Sequence, residues 1–208
     1  MITITSILDC EPYLQNTDAV IFDLDDTLYS EKDYVRSGYA AVAKAFPEVE
    51  SMAEKLWEAF EQKLPAIDAV LEAEGIASAE NKEKALLTYR NHLPTIAPTP
   101  GVYGLLNRLQ SEKKLGMITD GRPEGQWAKI DALKLKPYFQ KIIVTDELGG
   151  AAFRKPNELA FCLMQEALGI PFEKMVYIGD NIKKDFIAPQ KLGMQAIYIK
   201  NPNGLYTG

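Results

Sequence analysis

Five short apolar runs alternate with amphipathic stretches, and that rhythm predicts an α/β chain whose parallel sheet is covered by helices on both faces. Two further observations refine the class. Several runs end abruptly in acidic or hydroxyl residues. Residues 23–114, between the first run and the second, far exceed the span of one crossover helix with its loops, about thirty residues.

The first run, Ala19–Phe22, leads into Asp23-Leu24-Asp25-Asp26-Thr27. The others predict strands over Leu115–Thr119, Lys141–Thr145, Met175–Ile178 and Gln195–Ile199. Between them, helices are expected over Val102–Gln110, Gln126–Leu133, Glu158–Leu168 and Lys183–Leu192. In the first of these, Val102, Leu105, Leu106 and Leu109 recur at helical spacing and should face the sheet. Gly101, Gly169 and Gly193 stand where helices should start or stop. The first eighteen residues carry no assignable pattern beyond a possible packed helix.

The long interval reads as an insertion of helices: Tyr39–Phe46, Met52–Lys63, Ile67–Glu74 and Lys82–His92. Ala97-Pro98-Thr99-Pro100-Gly101 makes a stiff return. The expected division is therefore a core of residues 1–28 and 99–208, with a helical segment of residues 29–98 inserted beside the first acidic loop. No repeats or low-complexity tracts interrupt it.

The 208 residues carry a formal charge of −6, which argues against a nucleic-acid backbone as partner, because phosphate chains are bound by clustered Lys and Arg. A small phosphorylated molecule needs far less positive charge. No apolar run approaches the roughly 20 residues that span a bilayer, and Met1–Glu11 lacks the basic start of a signal peptide. Cys10 and Cys162 are far apart and fit free thiols in a reducing compartment. A cytoplasmic location is expected.

Two carboxylates, Asp23 and Asp25, crowd the end of an apolar strand, and like charges placed so close repel. A divalent cation or a nearby lysine could offset that repulsion. The acids could instead only cap a turn or a helix. Three more segments sharpen the choice: Ile118-Thr119-Asp120-Gly121, Arg154-Lys155-Pro156, and Gly179-Asp180-Asn181 with Asp185 following. In a parallel sheet the loops at the carboxyl ends of the strands converge, so these groups would meet at one edge.

The ordered set resembles the haloacid dehalogenase superfamily of phosphohydrolases. Its Asp-x-Asp-x-Thr strand end, its second-strand Thr or Ser, its Lys and its Gly-Asp-x-x-x-x-Asp loop all stand here in order. The resemblance implies a Rossmann-like core with an α-helical cap closing over the site. It implies Asp23 as nucleophile and Asp25 as acid and base, with the Asp25 pKa raised by neighbouring acids and burial. Thr119 and Lys155 would bind phosphate, the lysine also balancing the acids. Mg²⁺ would be held by Asp23, the Asp25 carbonyl and Asp180, with Asp185 behind them. The expected activity is Mg²⁺-dependent hydrolysis of a small phosphorylated metabolite, of sugar-phosphate or nucleotide class, through an aspartyl phosphate. Alternatives within the family are a phosphomutase and a catalytically silent binding relative. Asp25 favours a phosphatase over the carbon–halogen hydrolases, since a halide leaves without a proton.

The family often carries Asn where Asp120 stands, which leaves that residue without an assigned role. Asp26 is expected to serve the turn, and His92 to be a surface or packing residue. Tyr34, Arg36 and Tyr39 in the inserted segment, and Arg122 and Arg154 in the core, are candidates for reading the leaving group. A receiver domain would place its accepting Asp on a middle strand and has no place for the insertion. A dinucleotide-binding oxidoreductase would need a Gly-x-Gly-x-x-Gly turn where Asp23-Leu24-Asp25-Asp26 stands.

Overall fold

A computed structural model describes residues 1–205 and divides them into two compact units, one of residues 1–31 and 97 onward, the other of residues 32–96. The first holds six parallel strands: β1 Ile2–Ile4, β2 Ala19–Phe22, β3 Lys114–Thr119, β4 Lys141–Val144, β5 Met175–Gly179 and β6 Gln195–Ile199. Their spatial order is β1-β6-β5-β2-β3-β4. The helices are α1 Glu31–Ala45, α2 Met52–Glu61, α3 Ala66–Ala73, α4 Ala79–Asn91, α5 Val102–Gln110, α6 Pro123–Ala132, α7 Leu159–Leu168 and α8 Ile187–Lys191.

β2 reads Ala-Val-Ile-Phe and is buried throughout, as a central strand with both faces covered must be. Phe22 lies in register with Met117 of β3 on one side and Ile178 of β5 on the other. The residues that follow these strands therefore emerge side by side. On one face of the sheet Ile21, Ile118, Phe161, Met164 and Tyr177 form a continuous apolar cluster. Gly116 permits that packing, because a Cβ there would lie 2.5 Å from Met164 Sδ and 2.9 Å from Ile21 Cδ1.

Three departures from the sequence expectations have local causes. The amino terminus begins as a strand, not a helix: Ile2 and Ile4 pair with Ile197 and Ile199, and the β-branched trio Ile-Thr-Ile suits a pleated edge. α6 starts at Pro123, three residues before the expected Gln126, because proline's fixed φ suits the first helical position. α8 starts at Ile187 instead of Lys183. Before it, the Asp185 carboxylate accepts from Asn181 N at 3.0 Å and the Asn181 side chain accepts from Lys183 N at 3.1 Å, holding a tight loop.

The second unit consists of α1 (from Lys32 on) to α4, and its own core includes Val42, Phe46, Leu56, Leu71 and Ala85. Ser78 caps α4 by accepting from Asn81 N at 3.1 Å. Tyr34, Tyr39, Tyr89 and His92 contact one another through their rings in this unit. Among the described residues, no helix is long and apolar enough to cross a membrane.

Candidate active site

The carboxyl ends of β2, β3 and β5 open into a cleft of about 470 Å³ in the first unit, lined by Asp23, Asp25, Asp120, Lys129, Asp180 and Lys184 among others. The chain leaves β2 through a bend at Asp26, whose φ of 52° is left-handed. The Asp26 carboxylate supports that bend by accepting from Glu31 N at 2.9 Å and Leu205 N at 2.7 Å. Asp26 thus serves the turn, and Asp23 and Asp25, two residues apart, are left for the cleft.

Asp23 is 6% exposed, and Lys155 Nζ donates to its Oδ1 at 2.6 Å. The same ammonium donates to Tyr177 Oη at 2.7 Å and lies 2.9 Å from Asp185 Oδ1. The Lys155 side chain has no exposed surface. Burial opposes its charge, but Asp185 and Asp23 outweigh burial and hold its pKa well above the usual value. Asp23 is pushed upward, first by burial and then, against the pull of Lys155, by Asp185.

Asp25 behaves differently from the sequence expectation of a raised pKa. Burial acts in that direction, but Lys129 Nζ at 2.7 Å overrides it, aided by hydrogen bonds from Tyr29 Oη and from Gln126 Nε2 at 3.0 Å. The carboxyl is therefore held below its ordinary range and is ionised at neutral pH. Gln126 and Lys129 stand three residues apart on α6, which brings both onto the helix face turned toward Asp25.

Thr119 ends β3 fully buried, with Oγ1 accepting from Gln126 Nε2 at 2.5 Å. The next residue, Asp120, joins three segments. Its Oδ1 accepts from Thr145 Oγ1 at 2.9 Å and Lys155 N at 3.1 Å, and its Oδ2 accepts from Lys184 Nζ at 2.6 Å. Burial acts to raise the Asp120 pKa, but Lys155 and Lys184 together hold it low.

Asp180, just past β5, accepts no hydrogen bond among the described residues, and burial followed by repulsion from Asp23 and Asp185 pushes its pKa up to about 9. Carboxylate oxygens of Asp23, Asp180 and Asp185 all lie within 4.8 Å of one another. Three carboxylates set against one ammonium leave two negative charges uncompensated if all are ionised. A divalent cation supplies that balance, and an all-oxygen donor set suits Mg²⁺. The residues present fit such an ion.

Arg122 lies exposed at the N-cap of α6, away from the cleft lining. Tyr34 and Tyr39 are buried in the second unit, where Arg36 stacks over Trp57 at 3.5 Å from the ring centroid. Arg154 reaches the cleft and is tied to Asp146 by two hydrogen bonds of 2.7 Å. Sequence reasoning missed Gln126, Lys129, Tyr177, Lys184 and Glu31. The first two carried a signal: they are polar residues sharing the helical face of Ile130 and Leu133, where apolar side chains are expected. Glu31 opens α1 at the cleft wall, and burial and the Asp25 charge push its pKa up to about 8.

The model of the haloacid dehalogenase-like hydrolases matches residues 20–199, a span containing every acid described above. The chain belongs to this family. It is 27% identical to a glyceraldehyde 3-phosphate phosphatase of Methanocaldococcus jannaschii, over 86% of this chain and 83% of that protein. It is 24% identical to the pyrimidine 5'-nucleotidase YjjG of Escherichia coli, over 88% and 85% of the two chains. Among solved structures, the HAD-hydrolase YfnB of Bacillus subtilis, described as bound to magnesium, superposes with a TM-score of 0.64 at 21% identity, over 88% of this chain and 87% of that one.

Proposed function

We propose that this protein is a Mg²⁺-dependent phosphatase that hydrolyses a small phosphorylated metabolite, of sugar-phosphate or nucleotide class, through an aspartyl phosphate. The observation that carries the reading is the separation of roles between two acids on one strand end. Asp23 sits in the acid cluster with a buried ammonium against one oxygen, whereas Asp25 faces Lys129 and Gln126. The phosphatase relatives support the same class of reaction.

In this scheme an Asp23 oxygen attacks phosphorus, the bond between phosphorus and the ester oxygen breaks, and the departing oxygen takes a proton from Asp25. Water then attacks phosphorus and gives its proton to Asp25, Asp23 is released as a carboxylate, and inorganic phosphate departs. Resting Asp25 is ionised, so it needs a proton before the first step. The negative charge of an arriving phosphate ester raises its pKa and favours that protonation. The second step uses the ionised form that Lys129 already maintains.

Asp23, Asp180 and the Asp25 carbonyl would hold Mg²⁺, with Asp185 behind them. When bound, the ion neutralises phosphate oxygens and the carboxylates that would otherwise repel them. Thr119 and Lys155 would bind the phosphoryl oxygens, and Lys155, which already engages one oxygen of Asp23, would also balance the acids. Residues 29–98 would act as a cap that helps to choose the substrate.

The test is release of p-nitrophenol from p-nitrophenyl phosphate by the wild type with Mg²⁺, by the wild type with EDTA, and by Asp23→Asn. Metal-dependent turnover that disappears in the variant is expected. Undiminished turnover in Asp23→Asn would overturn the covalent scheme, and undiminished turnover in EDTA would remove the metal.

A further inference from the structure

Thr119 and Asp25 come from the ends of different strands, and one buried amide bonds to both. Gln126 on α6 is 4% exposed and lines the cleft. Its Nε2 donates to Thr119 Oγ1 at 2.5 Å and to Asp25 Oδ2 at 3.0 Å. A primary amide carries two N–H donors, so these two bonds use both. The loop after β3 closes against the amide, since a Cβ on Gly121 would lie 3.2 Å from Gln126 Cδ and Oε1.

The direction of these bonds has a consequence for each partner. A hydroxyl can accept while its single proton is given elsewhere. Thr119 Oγ1 accepts from the amide, and among the described residues it donates to no side chain, so its proton is left for a ligand oxygen. Without the amide, the ionised Asp25 carboxylate beside it would compete for that proton, because a charged acceptor draws a hydroxyl more strongly than a neutral one. On Asp25, Lys129 Nζ at 2.7 Å and Tyr29 Oη both engage Oδ1, whereas Gln126 engages Oδ2. The amide therefore fixes the plane of the carboxylate.

We propose that Gln126 is a positioning residue with two tasks: it leaves the Thr119 hydroxyl proton for the phosphoryl oxygens, and it orients the Asp25 carboxyl toward the ester oxygen. This deepens the phosphatase reading and rests on it.

The test uses the full chain with Mg²⁺. Inorganic phosphate, bound in calorimetry, reads the Thr119 task. Hydrolysis of phenyl phosphate against p-nitrophenyl phosphate reads the Asp25 task, because the two esters share a ring and differ in how much the leaving oxygen needs a proton. Gln126→Met keeps the side-chain length and removes both donors. It should weaken phosphate about ten-fold, the scale of one hydrogen bond to a charged group. It should also lower kcat more for phenyl phosphate than for p-nitrophenyl phosphate. In a Thr119→Val background the phosphate loss should vanish, and in an Asp25→Asn background the difference between the esters should vanish. Should Gln126→Met not fold, Gln126→Asn, which withdraws the amide by one carbon, should show the same two losses.

Unchanged phosphate affinity and an unchanged ratio between the esters, in a protein whose wild type hydrolyses both, would overturn the assignment of Gln126 and leave the phosphatase reading intact. Losses that persist in full in the Thr119→Val and Asp25→Asn backgrounds would also overturn it, because they would mark a general structural role. A wild type that neither binds phosphate nor hydrolyses either ester would overturn both readings.

Discussion

Replacing Lys155 with Met tests the buried acid cluster most directly. The substitution keeps the length and apolar stem of the side chain and removes only the ammonium. In the native protein that ammonium has no exposed surface and lies 2.6 Å from Asp23 and 2.9 Å from Asp185, carboxylates that are themselves 8% and 0% exposed. Removing one member of a buried ion pair leaves an uncompensated charge and costs about 3–5 kcal/mol. Without metal, Asp23 and Asp185 would then face one another with no ammonium between them, beside an Asp180 whose carboxyl is already pushed up to about 9. The expected loss in EDTA lies within that range, and Mg²⁺ should restore part of it.

Urea unfolding followed by Trp127 fluorescence, on a Trp57→Phe background, reports this from the first unit. Trp127 lies on α6, with Nε1 donating to Glu147 Oε1 at 2.7 Å. A Lys155→Met protein within about 1 kcal/mol of its parent in EDTA would refute the reasoning, since that is the range of an exposed pair. Should the single variant not fold, Asp23→Asn with Lys155→Met provides the second measurement. Removing both partners should be less harmful than removing the ammonium alone, and a double variant no better than the single one would also refute the coupling.

Further outcomes follow from the same geometry. Asp25→Asn should lower kcat by about 10²- to 10⁴-fold for an alkyl phosphate and by less for p-nitrophenyl phosphate, whose leaving group needs little protonation; equal losses on both substrates would contradict the acid–base role. Gly179→Ala should destabilise the protein by about 1–3 kcal/mol in urea melts, because its Cβ would run into Asp185 Oδ2, and an unchanged midpoint would contradict that packing. In EDTA, the Asp180 and Glu31 carboxyls have folded pKa values of about 9 and about 8, above their ordinary 3.8 and 4.5, so the folded chain binds more protons than the unfolded one and stability should fall as pH rises from about 4 toward 8, by at most about 1.4 kcal/mol per pH unit for each group. Thermal melts across that range should show the fall, and Mg²⁺ should flatten it.

The central strand and its acids were legible because their signals are local. Four apolar residues ending in Asp23 and Asp25 contrast sharply within a few positions, and the same is true of Thr119 at the end of β3 and Asp180 after β5. β1 was not legible, since a three-residue edge strand has too few alternations to show a period and its partner is β6, at the other end of the chain. The pairings of Asp25 with Lys129 and of Asp120 with Lys184 were hidden for a related reason. Each joins segments whose approach is decided by sheet order and helix packing, and most lysines in a sequence are solvated surface groups.

Those hidden pairings also locate the charge that the protein lacks. Asp25 has Lys129, Asp120 has Lys184, and Asp23 shares Lys155 with Asp185. Each ammonium comes from a different segment, so the folded chain assigns its cations one by one to particular acids. Asp180 receives none of them, and its carboxyl is raised to about 9. A fold that had only to tolerate this acid could have replaced it with Asn at no cost in shape. Keeping a buried carboxylate beside Asp23 and Asp185 makes physical sense when a cation from outside the chain completes the cluster, and this imbalance is the structural ground on which Mg²⁺ is proposed.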